Sequence, residues 1–210
     1  MPESALVTAD DLDEAVRLAV DTLRDVPPGA WDDRAGTLEW TRWETVEHLA
    51  DDLFAYAAQL GLTVAPLDTY VPFVLERRRP EGPGNTIQAD PKAGPAGLLQ
   101  VLQACGALLS AVVRTAPPEA RAHHGFGAAD ASASAAMGLV ETLVHVHDVC
   151  GGLDLAWDPP AGLCARVLGR LFPDAPTGAE PWLTLLWATG RGELPGRSRV
   201  TEWRWYNEAR

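Results

Sequence analysis

The chain has 210 residues, with 17 Lys and Arg against 29 Asp and Glu and a formal net charge of −12. A hydrophobic share of 47% is enough to bury a core, which excludes an acidic disordered polymer, and the length suits one domain or one domain with an appendage. The acidic balance speaks against nucleic acid or an anionic membrane as partner, because both need a basic surface that displaces counterions.

From Asp10 to Arg24, Leu12, Val16, Ala19, Val20 and Leu23 recur at three- and four-residue steps, so a first amphipathic helix is expected, stopped by Pro27-Pro28-Gly29. Thr41-Arg42-Trp43-Glu44 has the S/T-x-x-E form of a capping box and opens a second helix, with Val46, Leu49 and Leu53 on one stripe and Gly61 as the stop. Residues 62–94 are rich in Pro and Gly; a short helix over Val71–Arg78 followed by loop is the expectation there. A third helix is expected from Pro95 to Thr115 and a fourth from Asp130 to Val149, ended by Gly151-Gly152. Asp158-Pro159-Pro160 reads as an N-cap with proline at the first helical position, opening a fifth helix to Phe172, and a short sixth covers Glu180–Thr189. The tail Arg199–Trp205 alternates enough to pair as a strand or to drape irregularly, with Trp203 and Trp205 on one face locking it down. The fold class expected is all-α: a four-helix bundle over residues 1–152, with a C-terminal helical extension over 153–210 packed on it.

No basic leader followed by an apolar run opens the sequence, and no apolar stretch is read as long enough to span a bilayer. Cys105, Cys150 and Cys164 are too scattered for a disulfide framework or a metal knuckle and read as reduced, buried thiols. The expectation is a cytoplasmic protein without a membrane partner.

The segment richest in chemistry is Glu141-Thr142-Leu143-Val144-His145-Val146-His147-Asp148. Glu141 and His145, four apart, share one helix face about 6 Å along the axis, set in apolar surface. On the second helix His48 lies close to the stripe of Leu49 and Leu53. Together these residues offer an N,N,O donor set suited to Zn²⁺ or a similar divalent ion, with a coordination position left open as in catalytic sites. The same pattern also suits a hydrogen-bonded core histidine and an i,i+4 surface pair, and spacing does not bring His48 to the other two.

Trp40-Thr41 followed by His48-Leu49 resembles the W-T-x(6)-H-L signature of the DinB-like, mycothiol-dependent maleylpyruvate isomerase family. The segment from Glu141 to Asp148 is similar to that family's E-x-x-x-H-x-W-D, and the resemblance covers roughly residues 8–152. It implies a bundle that holds a divalent metal, zinc above all, through His48, Glu141 and His145. It further implies an actinobacterial-type enzyme in which a low-molecular-weight thiol, mycothiol, adds to a small electrophile, giving a transferase or isomerase that is monomeric or homodimeric. A metal-dependent hydrolase, and a non-catalytic binding or interaction protein on the same bundle, are the competing readings.

The sequence departs from the family pattern at His147, where Trp is usual; about 200° from His145 round the helix, it is a weaker ligand candidate facing elsewhere. Asp148 follows His145 by three and is placed to orient it, and Asp52, one turn after His48, is a further support or fourth-ligand candidate unless it joins Asp51 on a solvated acidic face. Arg77, Arg78 and Arg79 form a basic cluster suited either to a substrate carboxylate or to solvent. His123 and His124 read as exposed loop residues.

Overall fold

The computed structural model describes residues 6–209 and is mostly helical, with six α-helices and one small two-stranded sheet. The helices are α1 (Ala9–Leu23), α2 (Arg42–Leu60), α3 (Gly94–Thr115), α4 (Ala131–Cys150), α5 (Ala161–Leu171) and α6 (Pro181–Ala188). Strands β1 (Glu76–Arg77) and β2 (Gly84–Asn85) pair antiparallel between α2 and α3.

Local chemistry sets the helix starts. At α2 the Thr41 hydroxyl accepts from the Glu44 amide while the Glu44 carboxylate accepts from the Thr41 amide, the reciprocal box expected of that sequence. Asp130 accepts from the Ala133 amide at the start of α4, and the Glu180 carboxylate accepts from Trp182 and Leu183 at the start of α6. The α5 start differs from expectation: the helix begins at Ala161, after Pro160, and no side chain caps it. Two successive prolines explain this, because each drives the residue before it out of helical geometry.

Helices α1 and α2 each pack on both α3 and α4, and α5 packs on α4 and α6. One apolar cluster gathers Leu12, Leu23, Leu49, Leu53, Leu98 and Leu109; a second joins Leu139 and Leu143 of α4 to Leu163, Val167 and Leu185. α4 therefore lies between the two clusters and is buried along most of its length. Gly138 permits this packing. A Cβ there would stand 2.7 Å from a Leu109 methyl and 2.9 Å from one of Leu53, so α2 and α3 close on α4 only because that atom is missing.

Two further expectations change, and of the two readings of the tail the irregular one holds. Residues 71–78 are not helical; the chain runs extended into the hairpin, where Glu76 and Arg77 pair with Asn85 and Gly84 and the Thr86 and Gln88 side chains donate to the carbonyls of Val74 and Glu76. The stretch Pro91–Thr115, against the sequence reading, is long and apolar enough to cross a membrane by length and composition, but its Leu98, Leu102 and Leu109 are fully buried in the first cluster. The tail forms no regular strand. It drapes, held by Arg170, whose guanidinium donates to the carbonyls of Tyr206, Asn207 and Glu208, and by Trp205, which is buried whereas Trp203 is exposed.

Candidate metal centre

Helical periodicity lines up His48, Asp52 and Tyr56 at four-residue steps along one face of α2, and Glu141, His145 and Asp148 along one face of α4. Because α2 packs on α4, the two polar stripes meet in one seam. The His48 and His145 ring centroids are 5.7 Å apart, nearly perpendicular. His48 Nε2 lies 3.4 Å from Asp52 Oδ2, and His145 Nε2 lies 3.2 Å from Glu141 Oε2. One donor atom each from His48, Asp52 and His145 lies within 4.8 Å of the other two.

Neighbours fix the far side of each ring. His48 Nδ1 sits 3.1 Å from Asn85 Oδ1, and the Trp40 ring meets the imidazole edge to face at 4.7 Å. His145 Nδ1 is 3.3 Å from Asp148 Oδ2 but lacks hydrogen-bond alignment, so this buried nitrogen has no aligned partner. Arg191 grips Asp148 from the opposite side, with Nε at 3.0 and 3.1 Å from the two oxygens and Nη2 at 2.7 Å.

The electrostatics of the seam are in conflict. Burial would lower the His145 pKa, yet Asp148 and Glu141 outweigh it and push it up to about 9. Burial and the His145 charge hold His48 below its ordinary value. Burial and the Glu141 charge drive Asp52 well above the usual carboxylate range, while for Glu141 burial is overcome by its contact with His145. Burial likewise works to raise Asp148, but His145 and Arg191 bring it down. Burial and the adjacent Glu141 keep the Tyr56 phenol protonated. Among His48, Asp52, Tyr56, Glu141 and His145, the hydrogen bond that crosses from one helix to the other is Tyr56 Oη to Glu141 Oε1, at 3.5 Å. Two imidazoles and two carboxylates thus converge in one seam, where His145 pairs with Glu141 and His48 lies beside Asp52, and a divalent cation can take the place of the protons they share. The N,N,O donor chemistry and the spacing fit such an ion.

The structure gathers donor atoms of His48, Asp52 and His145, with Asp52 in the place expected of Glu141; Glu141 lies 3.2 Å from His145 Nε2 and Asp148 stands behind His145. His147 does not join them; its ring packs against Trp182 of α6 at 5.6 Å. The three arginines serve structure. Arg78 forms a bidentate pair with Glu47, Arg79 one with Glu44, and Arg77 donates to the Gly82 carbonyl. Asp51, read as surface, is buried and accepts from the amides of Thr86 and Ile87. His123 and His124 are half-buried rather than exposed, His124 lying among Tyr56, Phe126 and Trp205. Asn85, Tyr56 and Arg191 were missed as site residues. Asn85 follows a glycine in a loop-like stretch and nothing in the sequence ties it to His48, whereas Tyr56 continues the four-residue step of His48 and Asp52 and was legible.

A family model described as the mycothiol maleylpyruvate isomerase N-terminal domain matches residues 12–150, the span that holds both sides of the seam. Among solved structures, a histidine-to-alanine variant of the mycothiol-dependent maleylpyruvate isomerase is similar in fold. The two share 18% identity over 96% of this chain and 85% of that one, with a TM-score of 0.50. No curated protein sequence matches the chain.

Proposed function

Since the chain belongs to the mycothiol maleylpyruvate isomerase N-terminal domain family, we propose that it is a metal-dependent enzyme using a low-molecular-weight thiol, mycothiol, to isomerise or transfer a group on a small electrophile. In this reading α1–α4 are a DinB-like four-helix bundle within residues 1–152, and residues 153–210 are an extension packed on it, residues 1–5 and 210 lying outside the described residues. The observation that carries the proposal is the meeting of His48 and Asp52 from α2 with Glu141 and His145 from α4 in one half-buried seam.

His48, Glu141 and His145 would hold the ion, zinc by donor type, with Asp52 beside them. When bound, the ion supplies Lewis acidity that lowers the pKa of a coordinated thiol or water. The chain's own work is positioning. Asp148, itself gripped by Arg191, backs His145, and Asn85 backs His48. Tyr56 stays protonated and offers its hydroxyl to Glu141, so the carboxylate keeps one orientation. A nucleophilic sulfur has to come from outside the chain. Burial pushes Cys105 and Cys150 up to about 11 and Cys164 to about 12, leaving all three unreactive at neutral pH.

The test is elemental analysis of the purified protein beside His48→Ala and His145→Ala. Near-stoichiometric metal in the parent and its loss in both variants are expected; no metal in the parent, or equal metal in all three, would sink the reading. An assay on an activated alkene with and without a small thiol then separates thiol chemistry from hydrolysis.

A further inference from the structure

Asn85 is 2% exposed, so its amide is removed from water and depends on protein partners. Its Oδ1 lies 3.1 Å from His48 Nδ1, although 37 residues separate the two in sequence. The segment that delivers it is fastened to the helix that carries His48. Glu47 Oε1 accepts from the Ala89 amide at 2.8 Å, and Asp51 Oδ1 accepts from the Thr86 and Ile87 amides at 2.8 and 2.7 Å. These acids lie immediately before His48 and three residues after it, so the strand bearing Asn85 is held on both sides of the histidine. Arg78 completes the clamp by donating to Glu47 and to the Ala89 carbonyl.

We infer that Asn85 is a positioning residue that sets the tautomer of His48, its carbonyl oxygen accepting the Nδ1–H so that Nε2 presents a lone pair to the seam. The inference rests on the metal reading of the seam and extends it to a residue outside the donor set. A neutral imidazole carries one proton, and the nitrogen that lacks it is the one able to bind a cation. In water histidine favours the opposite tautomer, with the proton on Nε2. Without a fixed acceptor at Nδ1, the Nε2 lone pair that faces Asp52 would be lost for most of the time. The clamp also holds the acceptor in place before any ion arrives, so no loop ordering is charged against binding.

The test uses the full-length protein and the pair Asn85→Leu and Asn85→Asp. Leucine keeps the branched outline and removes the acceptor; aspartate keeps the acceptor. The tautomer of His48 is read in metal-free, nitrogen-labelled protein at pH 8 from two-bond imidazole correlations, the signal being assigned by its absence in His48→Gln. Expected are an Nδ1–H tautomer in the parent and in Asn85→Asp, and a shift toward Nε2–H in Asn85→Leu. Zn²⁺ affinity by competition with a chromophoric chelator is expected to fall about 10–100-fold in Asn85→Leu and to stay within a few-fold in Asn85→Asp. An Nε2–H tautomer in the parent, an unchanged tautomer in Asn85→Leu, or equal loss in both variants would overturn the inference. The tautomer is read without metal. Failure of the metal reading, shown by a parent that binds no Zn²⁺, is therefore distinguishable from failure of the assignment to Asn85.

Discussion

Glu47 and Arg78 face each other in a two-point ion pair, with Nε 2.8 Å and Nη2 2.7 Å from the two carboxylate oxygens, and the Glu47 side chain is 1% exposed. The pair fastens the crossover between α2 and α3 to α2 one residue before His48. Replacing Arg78 by Ala leaves a buried carboxylate with only the Ala89 amide as partner, which costs roughly 3 kcal/mol. Arg78→Lys, which cannot make both contacts, is expected to recover only part of that stability. Equilibrium urea unfolding of the three proteins checks this; an unchanged midpoint in Arg78→Ala would show that the crossover is held by other contacts.

The pH dependence of stability follows from Glu44. Burial works to raise its pKa, but the Arg79 guanidinium and the Thr41 amide together hold it below the usual value of 4.5. A carboxylate more acidic when folded than when unfolded contributes stability that is present above its unfolded pKa and is lost as pH falls through the folded one. The parent is therefore expected to be more stable than Glu44→Gln at pH 7, with the gap closing as pH drops below about 4.5. Thermal unfolding of both proteins across that range measures it, and a gap independent of pH would assign the difference to the cap geometry rather than to charge.

At the other end of the molecule Arg170 is buried, bonding three successive carbonyls of the tail and the Asp130 carboxylate that caps α4. Arg170→Ala is expected to free the tail and to weaken the cap, a loss of about 2–4 kcal/mol. Limited trypsin digestion should then cut at Arg204 well before the body of the protein, whereas the parent resists. Equal cutting rates would mean that Trp205 and the bonds from Tyr206, Asn207 and Ala209 to the body anchor the segment without Arg170.

What the sequence made legible follows the range of the interactions. The Thr41–Glu44 box and the four-residue steps from Glu141 to His145 and from His48 to Asp52 are local, and helical geometry turns such spacing directly into a shared face. Asp51 reads as solvated acidity, and the ties of Glu44 and Glu47 to the crossover stay hidden, because the partners of these acids, Arg79, Arg78 and the amides of residues 86, 87 and 89, lie 31 to 42 residues away across a proline-rich crossover with no periodicity of its own. The same crossover hid the hairpin and with it Asn85. His124 illustrates the limit from another direction: its neighbours Tyr56 and Trp205 come from α2 and from the tail, so no local pattern could show that it is half-buried. Part of the net negative charge is thus interior, used to fasten a loop and to furnish donors.

The third protein donor remains the sharpest point to test. Glu141 shares a face with His145 and touches its Nε2, while Asp52 shares a face with His48 and lies with both imidazoles in the compact donor set. Each carboxylate raises the other's cost of ionisation, since Glu141 is among the causes that drive Asp52 upward. If Glu141 is the donor and Asp52 keeps a proton at neutral pH, Asp52→Asn preserves shape and charge state and is expected to weaken Zn²⁺ binding about tenfold, within the range of an outer contact. Glu141→Gln removes the ionised donor and should cost far more, beyond about 100-fold. Chelator competition at pH 7 on the two variants and the parent decides it. The reverse order of losses would move the donor role to Asp52 and leave Glu141 as the group that holds His145 and Tyr56 in place.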